Sequence, residues 1–373
     1  MYTKKHMLLT LIVYNYRLTE TLLKMEITII IDYLIISIIA SVAVNSILRN
    51  YAQTNNFLVD IPDRSRKFHS RPTPLTGGIG TFIALMLSGK LYIDLNNLNG
   101  YLPEFTYYLM VSSLPLLLLF LIDDYRGLKV IHRLLIQVVA SFFMIYTTGI
   151  QLESFGNLFG SGNIDLGMLS IPITIFCVVG IMNAFNMIDG VNGLCAGCAM
   201  ISLLLIGFHS GFIFDSMLVL IIGSMIGFLI FNLRIFGKKR GVFLGDSGSN
   251  LIGFWVAWSA IYCSQNAIYN TEPITMIWFV AIPLLDCIGL IFARLKKGIS
   301  ISSAGRDHIH HKLMNRYSPE QTLVIILIVS LITGLVGIFV NNIYSSSVST
   351  YVFITYAACY YLYAYYKPTK NKI

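Results

Sequence analysis

Residues 169–193 read LSIPITIFCVVGIMNAFNMIDGVNG, and this stretch decides the fold. From Leu169 to Ile188 it is almost wholly apolar and uncharged, close to the ~20 residues a helix needs to cross a bilayer. Its last turns become polar: Asn183, Asn186 and Asp189 recur at every third position and share one helix face. Such a row is costly inside a span unless it packs against another helix, lines a wet cavity or bonds a ligand. Gly190 and Gly193 follow, where backbone N–H groups can approach an anion closely.

The same alternation of apolar run and polar loop recurs along the chain. Candidate spans fall at about 27–48, 75–95, 104–122, 130–149, 169–188, 194–213, 216–233, 247–263, 273–293, 322–341 and 348–365. The expected fold is an all-α polytopic integral membrane protein with about 11 transmembrane helices. Composition agrees: of 373 residues 56% are hydrophobic and 12% charged, with a mean hydropathy of +0.72. Soluble domains carry about 25% charged residues. A disordered tail, a disulfide-stapled mini-domain and an ordinary cytosolic enzyme are thereby excluded. The six cysteines lie in or beside apolar runs, and Cys195-x-x-Cys198 reads as packing. Residues 1–25 fit poorly, with a short apolar run and no small-residue cleavage site. They read as a non-native N-terminal extension, and residues 26–373 as one transmembrane domain.

Charge placement sets the orientation. Of 26 Lys and Arg, 21 fall on the loops after odd-numbered spans and on the C-terminal tail, and four more lie in the leader. Those loops and the C-terminus are therefore expected to be cytoplasmic. The net charge of +8 is then an orientation signal together with an anion site, and nucleic acid is not needed to explain it.

Each polar cluster that looks chemical lies on these loops, so the active site is expected there. Asp123-Asp124 ends the third span, either as a solvated helix end or as a cation site or general base beside a phosphate. Gly245-Asp246-Ser247-Gly248-Ser249 opens another, where an Asp can hold Mg²⁺ or merely cap the helix. Arg306-Asp307-His308-Ile309-His310-His311 gathers three of seven histidines among basic residues. Zinc lacks further nearby ligands there, and a pyrophosphate or leaving-phosphate site suits the cluster better. The first loop adds basic residues, Lys67 and His69 among them, before Pro72-Thr73-Pro74-Leu75-Thr76-Gly77-Gly78. Carboxylates with basic side chains are the composition of metal-assisted phosphoryl transfer. A site open to both cytosol and bilayer suits one water-soluble and one lipid reactant.

Taken together, these motifs resemble the polyprenyl-phosphate N-acetylhexosamine-1-phosphate transferase family, with its MraY, TagO and WecA types. The match runs from about Val59 to Gln321. It is most similar to the WecA type, through Val242–Asp246, Ile282-Pro283-Leu284-Leu285-Asp286 and His308–His311. The resemblance implies a Mg²⁺ or Mn²⁺ enzyme of the bacterial inner (plasma) membrane. It would move a sugar-1-phosphate from a UDP-N-acetylhexosamine to undecaprenyl phosphate and release UMP, the first membrane step of a cell-envelope polysaccharide. It leaves a homodimer open and implies no nucleic-acid partner.

By the same resemblance Asp246, with Asp189, would hold the metal. Asp123 and Asp124 would stand beside the lipid phosphate, with Asp189 as a third catalytic carboxylate. Asn183, Asn186 and Asn192 would line the nucleotide pocket, while Lys67, His69, Arg306, His308, His310 and His311 would hold the anionic substrate. The family reads Asp-Gly-x-Asp-Gly where this chain has Asn192, which brings no negative charge. A phospho-MurNAc-pentapeptide transferase, or another member specific for a different UDP-N-acetylhexosamine, is the neighbouring alternative. An ion-coupled transporter is the remote one, and it would need polar residues at mid-bilayer and inverted repeats.

Overall fold

Apolar runs in lipid have one economical solution, the helix, because every backbone polar group must be satisfied within the segment. The computed structural model describes residues 30–62, 71–95, 104–211, 216–269, 271–301 and 305–365. Its helices are α1 (Ile30–Asn55), α2 (Gly77–Leu95), α3 (Glu104–Arg126), α4 (Val130–Thr148), α5 (Ser170–Ile188), α6 (Leu194–Ser210) and α7 (Ser216–Asn232). They continue with α8 (Gly245–Gln265), α9 (Pro273–Phe279), α10 (Ala281–Lys296), α11 (Ile309–Leu313), α12 (Pro319–Ile343) and α13 (Ser346–Ala364). The proposed leader and the candidates Lys67 and His69 lie outside the described residues.

Every one of the eleven expected stretches holds helix. Among the described residues six helices are long and apolar enough to cross a membrane, or seven when α9 and α10, bent by 82°, count as one span. Of the other four expected spans, α6 and α7 are apolar but only 17 residues long each, while α8 and α13 fall short in hydropathy. α8 is enclosed by α2, α3, α5, α6 and α9, and its residues from Ser247 to Ser259 are all buried. A helix that faces protein on every side can carry Ser, Gly and Asn instead of a lipid-compatible surface. The outer helices show the opposite pattern: on α12, Val324, Ile328, Leu331, Leu335 and Phe339 are exposed at helical spacing, as a bilayer-facing stripe requires. α12 also starts cleanly. Ser318 Oγ accepts from the Gln321 N–H at 3.2 Å, Gln321 Oε1 accepts from the Ser318 N–H at 3.0 Å, and Pro319 opens the helix.

Two joints bring the loops together at one end of the bundle. A two-stranded antiparallel pair, β1 (Val59–Asp60) with β2 (Thr73–Pro74), closes the first loop. The chain leaving β2 bonds the loop before α8: Phe243 N–H donates to Pro74 O at 2.8 Å, and Gly77 and Gly78 N–H donate to Phe243 O and Leu244 O at 2.9 and 3.0 Å. A Cβ on Gly78 would lie 2.5 Å from both the N and Cα of Gly248, so glycine at 78 lets the starts of α2 and α8 touch backbone to backbone. Asn232, ending α7, is the second joint. Its side chain accepts from the Gly193 N–H and donates to Val242 O at 2.9 Å, tying the loop after α5 to the loop before α8.

Candidate active site

The joined loops place four carboxylates around the start of α8. Asp124 turns its side chain onto that helix end: Oδ1 accepts from the Asp246 N–H at 2.7 Å and Oδ2 from the Ser247 N–H at 3.1 Å. It thus satisfies two of the orphan donors of the first turn and suits the positive end of the helix dipole. Asp123 is buried and bonds the Leu128 N–H through Oδ1. Its Oδ2 lies 2.8 Å from Arg133 Nε, while Arg133 Nη1 lies 2.9 Å from Asp246 Oδ2. One guanidinium therefore holds two carboxylates, as its planar fork allows.

The polar row on α5 completes the arrangement. Asn186 Nδ2 donates to Asp246 Oδ1 at 3.0 Å and to Ser249 Oγ at 2.9 Å. Asn183 Nδ2 donates to Gln137 Oε1 at 2.9 Å, and Gln137 Nε2 donates to Asn250 Oδ1 at 2.6 Å, linking α5, α4 and α8. Asp189 follows the end of α5; it reaches solvent, yet protein surrounds its carboxyl. That crowding, then Asp246 and Asp124, push its pKa up to about 7. Asn192 is half-buried and makes no side-chain hydrogen bond among the described residues.

The histidine segment folds over this row. His310 is buried against Gly190, where any Cβ would overlap its Nε2. Burial, and then His311, push His310 down to about 3, so its ring is neutral at physiological pH. Gly190→Ala is accordingly expected to destabilise the folded state by about 1–3 kcal/mol through overpacking. Thermal unfolding in detergent measures this, and an unchanged midpoint would show that His310 yields freely. His308 bonds Asp286 through Nδ1 at 2.7 Å. Arg306 stands exposed at the segment's outer end.

Asp123, Asp124, Asp189 and Asp246 outnumber Arg133, the cation paired among them, which is the charge balance a divalent cation would relieve. Among the described residues no three Asp, Glu, His or Cys side chains form a ready-made cage. Mg²⁺ does not need one, since it binds through one or two carboxylates plus water and substrate phosphates. The oxygen donors here fit that ion. Beside them opens a cavity of about 990 Å³. Arg133, Asn183, Asn186, Arg294 and His308 line its polar end, and Phe120, Leu134, Phe176, Ile277, Leu284 and Ile291 continue it as an apolar channel between helices.

Sequence reasoning found the carboxylates, the asparagine row and the histidines but passed over Arg133, Gln137 and Asn250. Arg133 counted only toward loop charge. Its position one turn into α4, opposite a paired Asp, was the available signal.

Fold and site together define a polytopic membrane protein whose acid-rich centre sits at the mouth of an apolar cavity. The pattern that defines glycosyl transferase family 4 matches residues 106–264, the segment that carries Asp123, the α5 row and Asp246. The chain belongs to that family. It is 32% identical over 314 residues to the undecaprenyl-phosphate alpha-N-acetylglucosaminyl 1-phosphate transferase of Escherichia coli K12, covering 83% of each chain. Proteins with the same description from Yersinia pestis and Haemophilus influenzae are also 32% identical, over 286 and 326 residues. These alignments cover 75% and 83% of this chain and 76% and 86% of the relatives.

Proposed function

We propose that this protein transfers N-acetylglucosamine-1-phosphate from UDP-N-acetylglucosamine to undecaprenyl phosphate at a bacterial plasma membrane, releasing UMP. Its active-site loops and C-terminus would face the cytoplasm, an orientation that the positive loop charge supports and that gives access to a nucleotide sugar. The observation that carries the reading is one continuous site, with Asp246, Asn186 and Arg133 at its polar end and a long apolar cavity behind them. That shape suits a soluble diphosphate in front and a polyprenyl chain within the bilayer.

In the reaction a lipid phosphate oxygen attacks the sugar-bearing phosphorus, and the bond from that phosphorus to the UMP oxygen breaks. The phosphate monoester is already ionised near neutral pH, so the protein's task is alignment more than deprotonation. Asp246 and Asp189 are the residues that would hold Mg²⁺ or Mn²⁺, which when bound withdraws charge from the diphosphate. Asp124 fixes the helix turn that carries Asp246, and Asp123 fixes Arg133. Arg133, Arg294 and His308 supply positive charge and hydrogen-bond donors where the diphosphate would lie. Asn183 and Asn186 hold the wall beside it.

The test is a membrane assay with undecaprenyl phosphate and a panel of UDP-sugars, scoring UMP release and the lipid-linked product. UMP release with UDP-N-acetylglucosamine supports the reading. Activity confined to UDP-MurNAc-pentapeptide would move the chain to the neighbouring specificity, and no UMP release with any donor would end the transferase reading.

A further inference from the structure

Asp286, His308 and Tyr365 meet although they belong to α10, the turn into α11 and the end of α13. Asp286 is 1% exposed, and its carboxylate is fully engaged. Oδ2 lies 2.7 Å from His308 Nδ1, and Oδ1 accepts from the Ile309 N–H at 2.8 Å and from the Tyr365 hydroxyl. The same hydroxyl also lies 3.0 Å from the Asp286 carbonyl. Tyr365 is itself seated from both sides. A Cβ on Gly289, one turn beyond Asp286, would lie 2.6 Å from its ring, so glycine there makes room for it. Lys312 Nζ sits 3.7 Å from the ring centroid and donates to Ala364 O at 2.7 Å.

We infer that Tyr365 is a positioning residue for the transfer reaction, ordering Asp286 so that Asp286 fixes the ring orientation of His308 at the polar end of the cavity. The inference rests on the transferase reading above. A carboxylate can only accept, so the hydrogen it shares with His308 sits on Nδ1, and Nε2 is the ring nitrogen left free of that bond. His308 lines the same cavity as Arg294 and Arg133, where the diphosphate would lie. The end of the last helix thereby sets a ring in the catalytic end of the bundle without reaching the substrate.

The test uses the full chain in detergent–lipid micelles with UDP-N-acetylglucosamine and undecaprenyl phosphate. Tyr365→Phe, His308→Gln and the double variant are compared with the unsubstituted chain. Tyr365→Phe is expected to lower kcat/KM for the nucleotide sugar on the order of tenfold to a hundredfold. The KM for the lipid phosphate and the thermal unfolding midpoint should stay near the original. The double variant should be no slower than His308→Gln alone, because both changes remove one effect. Losses that multiply, or a Tyr365→Phe enzyme at full activity, would overturn the inference. Should Tyr365→Phe fail to fold, Asp286→Asn paired with His308→Gln gives the same reading, and multiplying losses there overturn it equally. Absence of UMP release from the unsubstituted chain is a different result, which removes the functional reading itself.

Discussion

Asp246→Asn is expected to reduce transfer on the order of a thousandfold or more while the protein stays folded in detergent. The substitution preserves shape. Asn keeps an oxygen that accepts from Asn186, and the backbone N–H of residue 246 still donates to Asp124. Arg133 keeps its partner at Asp123. What disappears is the negative charge at the start of α8, which pairs with Arg133 Nη1 and on which the proposed cation depends. The loss should persist at saturating Mg²⁺, because added metal cannot restore a missing ligand charge. Transfer within about tenfold of the unsubstituted enzyme, a difference worth only ~1.4 kcal/mol, would remove Asp246 from the metal site.

Gly78→Ala should act through structure and be nearly as damaging. The new methyl group would lie 2.5 Å from backbone atoms of Gly248, which no rotamer change can relieve. Gly248 in turn packs beneath Leu244, so the starts of α2 and α8 must separate. Overpacking of this kind costs about 1–3 kcal/mol. The separation also pulls Asp246 and Ser247 away from the Asp124 carboxylate, so transfer should fall by about a hundredfold, a further ~2.7 kcal/mol in the barrier. Thermal unfolding and the transfer assay together check this. A variant with an unchanged midpoint and full activity would show that the two helix ends do not have to touch.

The spans and the loop motifs were legible because both are local. A run such as Leu169–Ile188 declares a membrane helix by length and hydropathy alone, and the Asn183–Asn186–Asp189 row declares a polar helix face by its spacing. Residues of the α8 stretch were read correctly as a helix although its hydropathy falls short of a lipid-facing span. The sequence could not say why, since the explanation lies in the helices that surround it. The purpose of the Gly77-Gly78 pair becomes visible only with Gly248 against it.

By itself, then, the sequence determined a largely helical membrane protein, a concentration of Lys and Arg on a few loops and the residue types available for phosphoryl transfer. These follow from burial of apolar surface and from charge near a bilayer, which act on neighbouring residues and leave a periodic trace. Tertiary structure alone decided that Asp124 caps α8, that Arg133 joins Asp123 to Asp246, and that Tyr365 reaches Asp286. The first and last of those bonds join residues 122 and 79 positions apart. Directional bonds of a few ångströms between distant segments impose no pattern on either segment, so only the packed helices reveal which polar groups meet.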